Sequence, residues 1–190
     1  MKVGDAWTYD RIDGKTKSKE FTTVISVTSA DDKEIRTESK RTDNGTTLTT
    51  VRNKDLNRLV TDTPPGKTLS DPYHPEYAFP LTVGKTWEQK VVTTRSNQPD
   101  WKTVATLKGK VLGWEQVKVP AGTFNAIKIE IGGIYNGSDP RGQWNGLITE
   151  TIWYVPELKN AARWTYQDNI RGRGDFNNDV WELVKYEPAP

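Results

Sequence analysis

The sequence predicts an all-β protein: a strongly curved antiparallel sheet, a half-barrel or open barrel or sandwich, of about ten strands. Three observations carry this. Apolar and polar residues alternate with period two in several runs, as in Phe21, Thr23, Ile25 and Val27 against Thr22, Ser26 and Thr28. Turn-forming pairs punctuate those runs at hairpin spacing. Finally, Val3-Gly4-Asp5-Ala6-Trp7 returns as Val83-Gly84-Lys85-Thr86-Trp87, each copy leading into a strand-like run, which indicates a duplicated strand plan.

Taken in order, the first copy introduces strands near 6–12, 19–28, 33–41 and 46–52, and the second introduces strands near 86–95, 102–112, 124–135 and 147–155. Ile127, Ile129 and Ile131 face one way in the third of these, with Lys128 and Glu130 opposite. Closing strands near 161–168 and 179–187 follow, the second alternating Trp181 and Leu183 with Glu182 and Val184. Asp13-Gly14, Asn44-Gly45 and Asn136-Gly137 supply residues that tolerate the positive φ of tight turns, and a short helix is expected around Asp55 to Val60. Prolines at 64, 65, 72, 75 and 80 make 63–80 a connection without sheet, pinned to the surface by Tyr73, Tyr77 and Phe79. The whole chain, 1–190, is expected to be one β domain with repeat halves at about 3–62 and 83–155 and closing strands at about 161–187. Trp7 and Trp87 are the expected anchors of the two halves.

Hydrophobic residues make up only 34% of the chain and mean hydropathy is −0.76, yet eight Trp, seven Tyr and four Phe exclude a disordered composition. The net charge of +2 comes from interspersed charges, so no basic face for nucleic acid is expected, and no run is long enough for a membrane-spanning helix. The absence of cysteine excludes disulfides, thiol nucleophiles and Cys-based metal sites.

Catalytic patterns are equally sparse. His74 is the only histidine, and its place in the proline-rich connection predicts a solvent-exposed loop residue rather than a braced general base. Glu88 and Glu150 sit in aromatic-rich strands and are the carboxylates expected to be half-buried. Asp175 to Asp179 spaces oxygen ligands like the start of a calcium loop, but Val180 stands where the sharp-turn glycine belongs, and a polar hairpin loop explains it. Arg173-Gly174-Asp175 is too short a motif to count, and the glycosylation-like Asn44-Gly45-Thr46 and Asn136-Gly137-Ser138 read first as hairpin turns. No catalytic residue, metal ligand or cofactor is therefore assigned. Large aromatics chiefly replace scarce aliphatics in the core. Trp144, Trp153, Trp164 and Tyr166, on consecutive strands, are the candidates for lining a ligand groove.

Val119-Pro120-Ala121-Gly122-Thr123-Phe124-Asn125-Ala126-Ile127-Lys128, the preceding Gly113-Trp114-Glu115-Gln116-Val117, and Trp153-Tyr154-Val155-Pro156 together resemble the signature of a family of uncharacterised bacterial envelope proteins, many of them lipoproteins. The opening Val3-Gly4-Asp5-Ala6-Trp7-Thr8-Tyr9 resembles that of the same family. The resemblance implies an exported, all-β curved-sheet domain in the periplasm or cell envelope, provided that a signal segment has been removed ahead of Met1. It implies no catalytic residues, and without a cysteine no lipid anchor is assigned. The expected function is a non-enzymatic envelope domain binding an apolar molecule, a lipid or acyl chain, on a concave sheet. The alternatives are a protein-interaction or structural module of the envelope and, third, a carbohydrate-active or other hydrolase.

Overall fold

In the computed structural model, which describes residues 1–171 and 174–190 and all of their side chains except those of 175 and 176, the sheet closes completely. The adhesion-like tripeptide at Arg173 and the first two side chains of the calcium-like loop at Asp175 lie outside the described residues. Twelve strands form among the described residues: β1 (Ala6–Asp13), β2 (Lys19–Ala30), β3 (Glu34–Arg41), β4 (Thr47–Asn53), β5 (Arg58–Thr63), β6 (Gly66–His74), β7 (Thr86–Arg95), β8 (Gln98–Val119), β9 (Gly122–Asp139), β10 (Gly142–Val155), β11 (Asn160–Ile170) and β12 (Gly174–Glu187). Each pairs antiparallel with its sequence neighbours, and β12 pairs back onto β1 from Ala6↔Glu187 to Asp13↔Asp179. This is an up-and-down barrel.

The all-β, antiparallel expectation holds, and three expectations are corrected. The barrel is closed, with twelve strands in place of an open sheet of about ten, because β1 and β12 offer each other a full edge. The additional strands are β5 and β6, which replace both the helix expected near Asp55 and the sheet-free connection. Asn53 explains the first change: its backbone and side chain receive the amides of Leu56 and Asn57, closing a tight turn where a helix would have continued. Asn136-Gly137 lies inside β9 rather than in a turn; the ring of Trp144, its cross-strand partner, covers Gly137 so closely that a Cβ would fall 2.2 Å from it. The helical structure among the described residues is a single 3-10 turn at Pro156–Leu158, so no helix is long and apolar enough to cross a membrane.

Both copies of the echoed motif adopt one geometry. Gly4 and Gly84 take φ of +95° and +85°, a region that favours glycine. Gly4 N donates to Val27 O and Val27 N donates back to Asp5 O; likewise Gly84 N donates to Val111 O and Val111 N donates back to Lys85 O. Each copy opens a run of six strands. Trp7 is completely buried, its indole N–H donating to Leu158 O at 2.9 Å, whereas Trp87 is half-buried and lies across Gly109. Alternation sends Phe21, Thr23, Ile25 and Val27 into the barrel along with Ile127, Ile129, Ile131 and Leu183, while Glu88, Lys108, Lys110 and Glu130 stand exposed on the outside.

Asp5 ties the entry of β1 to the rest. Its buried carboxylate accepts from the amides of Lys2 (2.7 Å) and Ala189 (3.0 Å) and from Lys159 Nζ (3.0 Å). Burial alone would raise this carboxyl, but these donors hold it at about 2 against the ordinary 3.8. Because the unfolded chain binds the proton more readily, the contribution is complete above pH 3.8 and is lost as pH falls towards 2. Asp5→Asn is therefore expected to be less stable at neutral pH and to show a flatter stability profile through that acid window, measured by urea unfolding at stepped pH. A second prediction concerns close packing. A Cβ on Gly133 would sit 2.1 Å from the Thr106 carbonyl oxygen, whereas one on Gly113 meets nothing within 4 Å. Gly133→Ala should cost about 1–3 kcal/mol and Gly113→Ala much less, compared by chemical denaturation.

Candidate functional site

A barrel of twelve strands is wider than its side chains can fill. Two cavities, of about 860 and 640 Å³, occupy the interior, and Arg58, Thr61 and Tyr166 line both. The strand order explains the partition: β5 and β11 stand six places apart in the ring, directly across the barrel. Arg58 and Thr61 from one strand and Tyr166 from the other thus form a septum. Both chambers reach the end of the barrel that carries the β1–β2, β3–β4 and β5–β6 hairpins, the larger at Arg41, Thr46 and Pro64–Pro65 and the smaller at Arg95 and Arg141.

The larger chamber has an aromatic wall. Tyr9 meets Trp164 edge-on (4.7 Å between centroids), Trp164 stacks on Trp181 (5.1 Å, 10°), and Trp181 meets Phe21 edge-on (5.8 Å). Arg41 lies over the outer face of Phe21 at 3.9 Å. Ile25, Leu48, Leu56 and Ile152 add aliphatic surface, and Thr23, Thr37, Thr50 and Thr61 present methyl as well as hydroxyl groups.

Its floor is charged. At the end of β6 the chain turns inward, burying His74, the last residue of the strand, and then Pro75, Glu76 and Tyr77. Asn57 locks this segment by receiving Tyr77 N (2.7 Å) and donating to Tyr77 O (2.9 Å). Arg52 donates to Glu76 and to Leu56 O, Arg58 Nη2 stands 3.6 Å from Glu76, and His74 Nε2 bonds Glu150 at 2.5 Å. Burial would raise Glu76, but Arg52, Arg58 and His74 outweigh it and hold the carboxyl below its usual range. Burial keeps Tyr77 and Tyr166 protonated, reinforced by Glu76 and Glu150 respectively. His74, Glu76 and Glu150 bring donor atoms within 4.8 Å of one another, the grouping among the described residues with a cation-binding donor set. The guanidiniums against Glu76 oppose a further cation, so the arrangement fits a self-compensated charge network better than a metal centre.

The smaller chamber is more polar. Trp101 and Trp144 face each other at 6.3 Å, Arg95 lies 3.9 Å over Trp101, and Asp168 accepts from Tyr135 Oη at 2.7 Å. Burial raises the Asp168 carboxyl despite that bond.

Of the four residues singled out from sequence, Trp164 and Tyr166 line the larger chamber, and Trp144 lines the smaller. Trp153 is separated from them: one residue out of phase on β10, it projects outside the barrel, donating to Glu115 at 2.5 Å beneath Lys128 and Arg163. His74 is buried, contrary to the exposed position expected of it, and Glu88 is exposed where Glu150 is buried. Arg52, Arg58 and Glu76 were not legible as site residues. Phe21 and Trp181 could have been found, since both alternate onto the inward face.

Fold and site together define a class: a closed up-and-down barrel with a divided lumen, aromatic on one wall and charged at its floor. The fold, apart from these features of the lumen, is shared with solved structures. A predicted exported protein with a YmcC-like fold from Bacteroides fragilis superposes over 98% of this chain and 97% of its own, with a TM-score of 0.58 and 14% identity. A predicted lipoprotein from Parabacteroides distasonis matches over 98% and 96% (TM-score 0.55, 13% identity), and the hypothetical lipoprotein YmcC from Escherichia coli over 98% and 85% (0.52, 12%). At these identities the likeness establishes the shared fold. No family model and no curated protein matches the sequence.

The buried pair at the floor has a measurable consequence. His74→Leu strands the Glu150 carboxylate without its partner and is expected to cost about 3–5 kcal/mol, whereas His74→Leu with Glu150→Leu should recover much of that loss. A double-mutant cycle by chemical denaturation reads the difference.

Proposed function

We propose that this protein is a non-enzymatic, extracytoplasmic domain of the cell envelope that takes an elongated apolar molecule, a lipid or acyl chain, into its larger chamber. The observation that carries this reading is an unfilled lumen of about 860 Å³ walled by Phe21, Trp164 and Trp181 and reaching the hairpin rim. Its size falls within the general range of small-molecule sites, about 300–1,000 Å³. The descriptions of the Bacteroides, Parabacteroides and Escherichia proteins as exported or as lipoproteins support the compartment.

Glu76 and Glu150 converge in the same chamber, as glycosidase carboxylates do. Glu76, however, is committed to two arginines and held ionised, and Glu150 shares its carboxylate with His74. That pairing supports the non-enzymatic reading. Ile134 and Leu147 oppose each other on the outer face as a small exposed apolar pair, a surface that suits the interaction-module alternative less well than the open lumen suits a ligand.

The test is titration with the uncharged lipophilic dye N-phenylnaphthylamine. The wild-type chain is expected to bind it with quenching of tryptophan fluorescence. Trp164→Ala or Trp181→Ala should weaken binding by roughly tenfold, while Trp153→Ala on the outer face should leave it unchanged. Equal binding by all four proteins would place the dye elsewhere, and absence of binding would remove the reading.

A further inference from the structure

We infer that Arg58 anchors the anionic head of an amphipathic ligand whose apolar body runs along the aromatic wall. This rests on the reading of the larger chamber as a ligand site. Arg58 begins β5 at the floor of the lumen and lines both chambers, so the one-third of its side chain that is exposed opens onto the cavities.

The two floor arginines are not equivalent. Arg52 is satisfied, donating to Leu56 O at 2.7 Å and to Glu76. Glu76 therefore already has a cation in direct contact. The Arg58 guanidinium reaches it only at 3.6 Å and makes no hydrogen bond to the described residues. A planar fork of donors is left facing a confined space. Glu150, the other carboxylate of the floor, is engaged with His74, and the phenols of Tyr77 and Tyr166 are held neutral.

The chemistry that fits is a carboxylate or a phosphate monoester, each of which a guanidinium can engage through two parallel hydrogen bonds. From Arg58 the six residues of β5 lead out to the Pro64–Pro65 turn at the rim, roughly 20 Å of extended chain. Trp164, Trp181 and Phe21 line the same chamber. A long acyl chain with its head inward follows that path. Arg41 at the rim, though also lining the chamber, is tied to Asp43 by two hydrogen bonds of 3.0 and 2.6 Å.

The experiment titrates the full chain with hexadecanoate, hexadecyl phosphate and hexadecanol, below their micellar concentrations, following tryptophan fluorescence and native mass spectrometry. At least one anion should bind more tightly than the alcohol, and which of the two binds identifies the head group. Arg58→Gln should weaken anion binding roughly ten- to hundredfold while leaving hexadecanol unchanged. Arg58→Lys, which keeps a charge beside Glu76, should fall between, Arg41→Gln should weaken anion binding less than Arg58→Gln, and Arg36→Gln, exposed and outside both chambers, should match the wild type; thermal unfolding confirms that each variant is folded. Anion affinity unaltered in Arg58→Gln, lost instead in Arg41→Gln, or no better than that of the alcohol overturns the anchor and leaves the chamber standing. Failure of all three compounds to bind overturns the chamber reading and the anchor with it.

Discussion

Pairing of β1 with β12 turns the sheet into a ring, and the width of that ring governs the rest of the molecule. In a barrel of about eight strands the inward side chains meet and fill the interior. At twelve they do not, and the structure spans the gap by two devices. Long strands on one side, β8 with 22 residues and β9 with 18, bring in Leu107, Ile129, Ile131 and Tyr135. On the other side the chain itself enters the lumen at His74 to Tyr77 and is clamped there by Asn57. What these devices leave unfilled becomes the two chambers.

An inserted backbone segment brings its charged residues inside, where an isolated carboxylate is costly. That accounts for Arg52, Arg58, Glu76, His74 and Glu150 being found together: each carboxylate has a hydrogen-bonding basic side chain in reach. The compensation is uneven, dense around Glu76 and Arg52 and sparse around Arg58, so that one guanidinium faces the cavity. A network that makes the inward turn tolerable thereby leaves one guanidinium open to the lumen.

Much of the barrel could be read from the alternating residues, because an inward position on a half-buried strand declares itself. Phe21, Thr23, Ile25 and Val27 point inward as their pattern requires, and the ten expected strands all form. Two strands escaped: β5 carries no alternation, every residue being intermediate in exposure, and β6 contains Pro72. Closure is invisible locally, since it depends on the register of strands at opposite ends of the chain. The site was half legible for the same reason. Trp164 and Tyr166 could be assigned by strand phase, whereas His74 and Glu76 are buried by the path of a loop among prolines, which no periodicity encodes. Trp153 shows the cost of choosing aromatics by adjacency of their strands without regard to phase, because one residue of phase sends it to the opposite face.

The echoed motif explains why the lumen divides where it does. Its copies open β1 and β7, six places apart in the ring, so the barrel consists of two equal runs of six strands. The septum residues come from corresponding members: β5 is the fifth strand of the first run and β11 the fifth of the second. Equal runs alone would produce equal chambers. The inequality arises from their side chains and lengths, for β3, β4 and β5 are only six to eight residues long and point threonines inward, while the second run sends in leucine, isoleucine and tyrosine from longer strands. The larger chamber therefore opens on the side of the smaller residues. Its aromatic wall is supplied from across the seam by Trp164 and Trp181, with Arg58 at its inner end.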